Sequence, residues 1–119
     1  MDGEISPSEL ETLLEADEPP VIVDIRSPLD FRREHIPGSR NVPFEALPQE
    51  IEQFREEDHV VTVCPHGKAS IQAANLITSF EEFDGRVESL ESGITGWEGP
   101  TESDSRTHQG ESDSPEAPF

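Results

Sequence analysis

The stretch "HVVTVCPHGKASIQAANLI", residues 59–77, decides the fold. It opens on a run of β-branched residues, Val60 to Val63, that climbs to Cys64. A short run of this kind suits a strand buried on both faces. Pro65 and Gly67 then interrupt the pattern, as turn residues do. From residue 68 to 80 the period changes. Ile71, Ala74, Asn75, Ile77 and Thr78 mark successive helical turns, and Ala73, Leu76 and Phe80 add apolar surface. The stretch reads strand, tight turn, helix. It also holds the only cysteine and the only lysine of the chain, Cys64 and Lys68.

The same alternation runs outward in both directions. "ISPSELETLL" begins a helix: Ser6 suits the cap, Pro7 the first helical position, and Glu9 completes a capping box. Ile5, Leu10, Leu13 and Leu14 are expected to face a core. "EADEPP" ends that helix, because consecutive prolines cannot continue it. "VIVDIR" (21–26) is a second buried strand, and "SPLDFRREH" a short helix capped by Ser27. "IPGSRNVP" is a turn leading into a brief strand, and "FEALPQEIEQFREE" gives one or two short helices. "DGRVESLES" is a turn and a further strand, and "GITGWEG" closes the fold. Strands alternating with helices predict an α/β fold: a mainly parallel central sheet flanked by helices on both faces. The domain is expected over residues 1–99. Residues 100–119, polar and nearly free of apolar side chains, are expected to form a disordered acidic tail.

Composition narrows the function. Among 119 residues, 27 acidic side chains against 8 basic ones give a net charge of −19. Such a surface repels phosphates, so no direct nucleic-acid binding is expected. No apolar run is long enough to span a membrane. The acidic, polar N-terminus lacks a secretion signal, which makes a cytoplasmic site the expectation. One cysteine forms no internal disulfide, and the scattered histidines make no zinc-ligand set, so neither metal nor cofactor is expected. Arginine supplies seven of the eight basic residues, and the acid excess points to a protein kept soluble in high salt.

In open α/β sheets, ligand sites lie at the carboxyl ends of the strands, where Cys64 sits. Backbone N–H groups in the turn and first helical turn lack intrahelical partners, and the helix dipole adds partial positive charge. Both favour the thiolate, which is the nucleophile. Lys68 adds a formal charge nearby, and Gly67 permits an unusual backbone. The other reading is a small buried hydrophobe at the end of a core strand. Both readings are open on these residues alone.

"VIVDIRSPLDFRREHIPGSRNVPF" resembles the N-terminal half of a rhodanese-like domain, with its D-[IV]-R and H-I-P-G-[AS]-x-N-[IV]-P patterns. "VVTVCPHGKAS" is similar to that family's active-site strand and loop, and "LESGITGWEG" to its closing G-x-x-x-W segment. The resemblance covers roughly residues 5–99. It implies a sulfurtransferase in which Cys64 takes sulfane sulfur from a small donor, thiosulfate or a persulfide, and passes it to a nucleophilic acceptor, including a protein. Cys64 would be catalytic; His66, Gly67, Lys68, Ala69 and Ser70 would cradle the substrate through backbone N–H groups, with Arg26 near the pocket. Many family members carry arginine where this chain has Pro65 and Ala69, which leaves Lys68 the loop's one charge. The alternatives are a non-enzymatic partner-binding module and a cysteine phosphatase or arsenate reductase. The phosphatase loop needs an arginine where Ser70 stands.

Asp24 and Arg26 read as an ion pair at a strand end. His35 reads as a hydrogen-bonded structural residue of the "HIPG" turn. His66 is placed at the pocket mouth or in solvent, His59 and His108 at the surface, and Trp97 in the fold.

Overall fold

A computed structural model of the protein describes residues 3–103. Five strands form one sheet: β1 (Glu4–Ile5), β2 (Val21–Asp24), β3 (Arg40–Asn41), β4 (His59–Val63) and β5 (Arg86–Leu90). Their order is β1-β5-β4-β2-β3, and every pairing is parallel. The helices are α1 (Pro7–Leu14), α2 (Pro28–Arg33), α3 (Leu47–Glu50) and α4 (Ala69–Ser79). Short 3-10 turns flank α3 and close the fold at Ile94–Gly96.

The strand at the centre explains the continuous apolar run around Val61. β4 lies between β2 and β5. Val60 faces one side, where Ala73, Ala74 and Ile77 of α4 pack with Leu47 and Phe54. Val61 and Val63 face the other, against Ile5, Leu10, Ile22, Leu90 and Trp97. Period-two alternation therefore buries apolar groups on both faces. Trp97 is 8% exposed and belongs to the second core.

The local signals at helix starts are realised in detail. Ser6 accepts from the Glu9 amide at 3.1 Å, and the Glu9 carboxylate accepts from the Ser6 amide at 3.0 Å. Ser27 caps α2 by accepting from the Asp30 amide at 3.2 Å. Ile5 faces the core as expected, but from a strand and not from α1. It lies in β1, paired with Leu90, and is buried from that strand. Leu10 is fully buried from α1, whereas Leu13 and Leu14 pack only in part against the core.

His35 is 2% exposed, stacked on Phe31, with Nδ1 2.6 Å from the Phe31 carbonyl oxygen. Its backbone and that of Glu102 exchange two hydrogen bonds of 2.9 Å. The Trp97 indole donates to the Pro100 carbonyl at 3.0 Å. Residues 104–119, which include His108 and most of the expected tail, lie outside the described residues. His59, expected at the surface, is half-buried, with Nε2 2.7 Å from the carboxylate of Glu88. Among the described residues no helix is long and apolar enough to cross a membrane.

Candidate active site

β4 delivers Cys64 to the carboxyl edge of the sheet, and both neighbours pin it there. The Ile25 amide, just past β2, donates to the Val63 carbonyl at 2.9 Å. Beyond β5, the Ile94 amide donates to the Cys64 carbonyl at 2.8 Å and the Thr95 amide to the Pro65 carbonyl at 3.1 Å.

That loop folds back over the sulfur. Gly67 adopts φ +87°, a left-handed conformation open to glycine, and its N–H donates to Cys64 Sγ at 3.0 Å. On the first turn of α4, Ser70 Oγ lies 3.3 Å from the sulfur. Ser70 Oγ is in turn 2.6 Å from Ser89 Oγ on β5, and both serines are fully buried. Thr62 anchors the helix start by donating to the Ser70 carbonyl at 2.8 Å. Two opposing effects act on the thiol. Burial, the larger single effect, pushes its pKa up; hydrogen bonds from Ser70 and from the backbone N–H groups of Ser70, His66 and Gly67 pull it down. Together the hydrogen bonds prevail, and the Cys64 thiol is held below its ordinary value.

The turn after β5 makes this geometry possible. A Cβ on Gly93 would collide with the Cys64 carbonyl oxygen and lie 2.7 Å from the amide nitrogens of His66 and Gly67. A Cβ on Gly67 would lie 2.8 Å from the Ser92 nitrogen. Gly93 is at φ +60°, ψ −159°, a region essentially restricted to glycine, and Ser92 itself has φ +63°. Two glycines thus let two backbones meet around the sulfur.

The residues singled out from the sequence separate into two groups. Cys64, Gly67 and Ser70 converge, together with the His66 backbone N–H. The side chains of His66, Lys68 and Ala69 are exposed. His66 Nδ1 lies 3.4 Å from Thr95 Oγ1. Lys68 occupies the cap position of α4; its carbonyl accepts from the Ile71 amide at 3.1 Å, and its side chain caps nothing. The side chain of Arg26 is 8% exposed, and its guanidinium grips Asp24 through Nε at 2.9 Å and NH2 at 2.7 Å. It also donates to the Glu34 carbonyl at 2.6 Å, so it braces β2 against the end of α2. Sequence reasoning missed Ser89 and Gly93. Gly93 had a visible signal, as the first glycine of the G-x-x-x-W segment three residues past β5; Ser89 had none, because only strand pairing brings it to Ser70.

The profile of the rhodanese-like domain matches residues 6–100. A sulfurtransferase of Allochromatium vinosum is 30% identical over 97 residues, covering 82% of this chain and 89% of its own. The thiosulfate sulfurtransferase GlpE of Tolumonas auensis is 34% identical over 76 residues, covering 64% of this chain and 70% of its own. The solution structure of the rhodanese-like domain of Anabaena sp. Alr3790 superposes with a TM-score of 0.74 at 29% identity, over 95% of this chain and 89% of that one.

Proposed function

This chain belongs to the rhodanese-like domain family, and from that premise we propose that it carries sulfane sulfur as a persulfide on Cys64. The family and its named sulfurtransferase relatives support a sulfurtransferase-type function. The observation that carries the finer reading is the Gly67 amide aimed at Cys64 Sγ at 3.0 Å, in a loop whose thiol is held below its ordinary pKa.

The chemistry needs two displacements at sulfur. With thiosulfate as donor, the Cys64 thiolate attacks the outer sulfur. The donor's S–S bond breaks, sulfite leaves with the electron pair, and Cys64 keeps the sulfur as an anionic persulfide. A nucleophilic acceptor then attacks the terminal sulfur, and the Cys64 thiolate leaves. A hydropersulfide donor follows the same course with a thiolate as leaving group. Covalent catalysis of this kind divides one transfer into two easier steps. Backbone N–H groups at the start of α4 hold the negative charge, first on Sγ and then on the terminal sulfur. Lys68, exposed at the helix cap, offers attraction to an incoming anion but no bidentate clamp. Cys64 is 1% exposed, so donor entry requires the exposed residues of the loop to part. The thiol must stay reduced between cycles, which suits a reducing cytoplasm.

Incubation with thiosulfate, or with a small hydropersulfide, followed by intact mass spectrometry tests the reading. The wild type should gain one sulfur, and Cys64→Ser should gain none. Absence of an adduct with both donors would leave the non-catalytic, partner-binding reading in its place. Turnover of an aryl phosphate or arsenate that Cys64→Ser abolishes would replace it with the third reading.

A further inference from the structure

We propose that Ser89 is a positioning residue for Cys64: acting through Ser70, its hydroxyl turns the Ser70 O–H toward the sulfur, so that the buried chain Ser89–Ser70–Cys64 selects the form of the cysteine that carries no S–H. This deepens the proposed role of Cys64 and rests on that reading for its purpose.

Ser89 Oγ lies 2.6 Å from Ser70 Oγ, which lies 3.3 Å from Cys64 Sγ. Both serines are fully buried, so their hydroxyls look first to each other and to the sulfur. Among the described residues Ser70 is the one partner of the Ser89 hydroxyl. The Ser89 backbone N–H is engaged elsewhere, by the Gly3 carbonyl at 3.1 Å. The chain therefore has three groups and two links. With Cys64 as a thiol, Sγ can donate to Ser70 Oγ, but the chain then holds three hydrogens for two links and one donor has no partner within it. With Cys64 as a thiolate it holds two hydrogens for two links. Ser89 then donates to Ser70, Ser70 donates to sulfur, and Gly67 adds its amide from the loop side. Donation by Ser89 also polarises the Ser70 hydroxyl and strengthens its bond to the charged sulfur.

The same count holds through the transfer cycle. In the persulfide, Sγ carries no hydrogen and still accepts, so the chain remains matched. No proton moves when a thiolate displaces sulfite or another thiolate. The serines need not conduct one. Their role is to keep the resting residue ionised and aimed.

The chain makes the measurement clean. It has one cysteine and no tyrosine, so every thiolate signal in the ultraviolet and every alkylation by iodoacetamide reports Cys64. Ser89→Ala should shift the midpoint of both profiles to higher pH and slow alkylation near neutrality about threefold, equivalent to half a pH unit. Ser70→Ala should slow it more, about tenfold, a shift of about one unit. The double variant should match Ser70→Ala alone, because Ser89 acts through Ser70. An unchanged profile in folded Ser89→Ala, or additive effects in the double variant, overturns the assignment. If Ser89→Ala does not fold, the near-isosteric pair Ser89→Thr and Ser89→Val applies the same test: threonine should keep the profile and valine should shift it, and equal profiles overturn it. Persulfide formation in the wild type is a separate readout. A shifted profile without any sulfur adduct would leave Ser89 in place and remove the transfer reading; an adduct with an unmoved profile would do the reverse.

Discussion

Two strand-to-helix turns sit side by side at the carboxyl edge of the sheet, and they treat their polar groups in opposite ways. The turn after β2 is closed. Ser27 caps α2 with its own side chain, and Arg26 joins Asp24 to the Glu34 carbonyl. Asn41 adds two hydrogen bonds of 3.0 Å to the carbonyls of Asp24 and Arg26. The turn after β4 is open. No side chain caps α4, and the backbone N–H groups of that turn converge on a sulfur atom instead. A capped turn has its donors satisfied and is architecture. An uncapped turn holds donors in reserve for charge that arrives or forms.

The largest expected effect falls on the open turn. Gly93→Ala forces a Cβ into the Cys64 carbonyl at a glycine-only backbone conformation, and should cost about 4 kcal/mol in urea unfolding. It should also move the alkylation profile of Cys64; a stable variant with an unchanged profile would mean that the open turn does not depend on the turn after β5 that packs against it. In the closed turn, Asp24→Ala strands the buried guanidinium of Arg26 and should cost about 3 kcal/mol. Cys64 alkylation in that variant should keep its wild-type pH dependence, because Asp24 answers to Arg26 and not to the thiol. Ser27→Ala removes one helix cap and should cost about 1 kcal/mol, again with no change at Cys64.

A pH series separates the turns further. Because the folded Cys64 thiol is held below its unfolded value, its contribution to stability is present in full above the unfolded value and disappears as pH falls through the folded one. The stability margin of the wild type over Cys64→Ala should therefore widen as pH rises toward about 8.5, the ordinary thiol value. A flat margin would show that the hydrogen bonds at sulfur do not distinguish thiolate from thiol. The smallest effect belongs to Lys68. Its exposed side chain is screened by solvent and salt, so Lys68→Ala should slow alkylation less than about twofold at about 0.15 M salt. A tenfold loss would restore it as the main electrostatic partner of the thiol. With a net charge of −19, transfer from an anionic donor should speed up toward about 1 M salt, where the Debye length is about 3 Å.

Much of the architecture was legible because it is written in local patterns. Val60 to Val63 alternate between two apolar layers, and Ser6, Glu9 and Ser27 cap helices by contacts three residues apart. β1 escaped notice because two residues show no period, and only the partner strand makes them a strand. Lys68 drew attention through its place in the loop. The orientation of its side chain, exposed to solvent, is a property of the packed turn.

The sequence by itself determined that a strand would carry Cys64 into a glycine-containing turn at a helix start, since those are short-range preferences of backbone and side chain. Only the tertiary structure decided what the sulfur meets there. Ser89 and Gly93 lie 25 and 29 residues from Cys64 along the chain. They arrive because β5 pairs with β4 in one register, Ser89 opposite Thr62. A slip of one residue would turn Ser89 to the other face of the sheet, and no local motif encodes that choice.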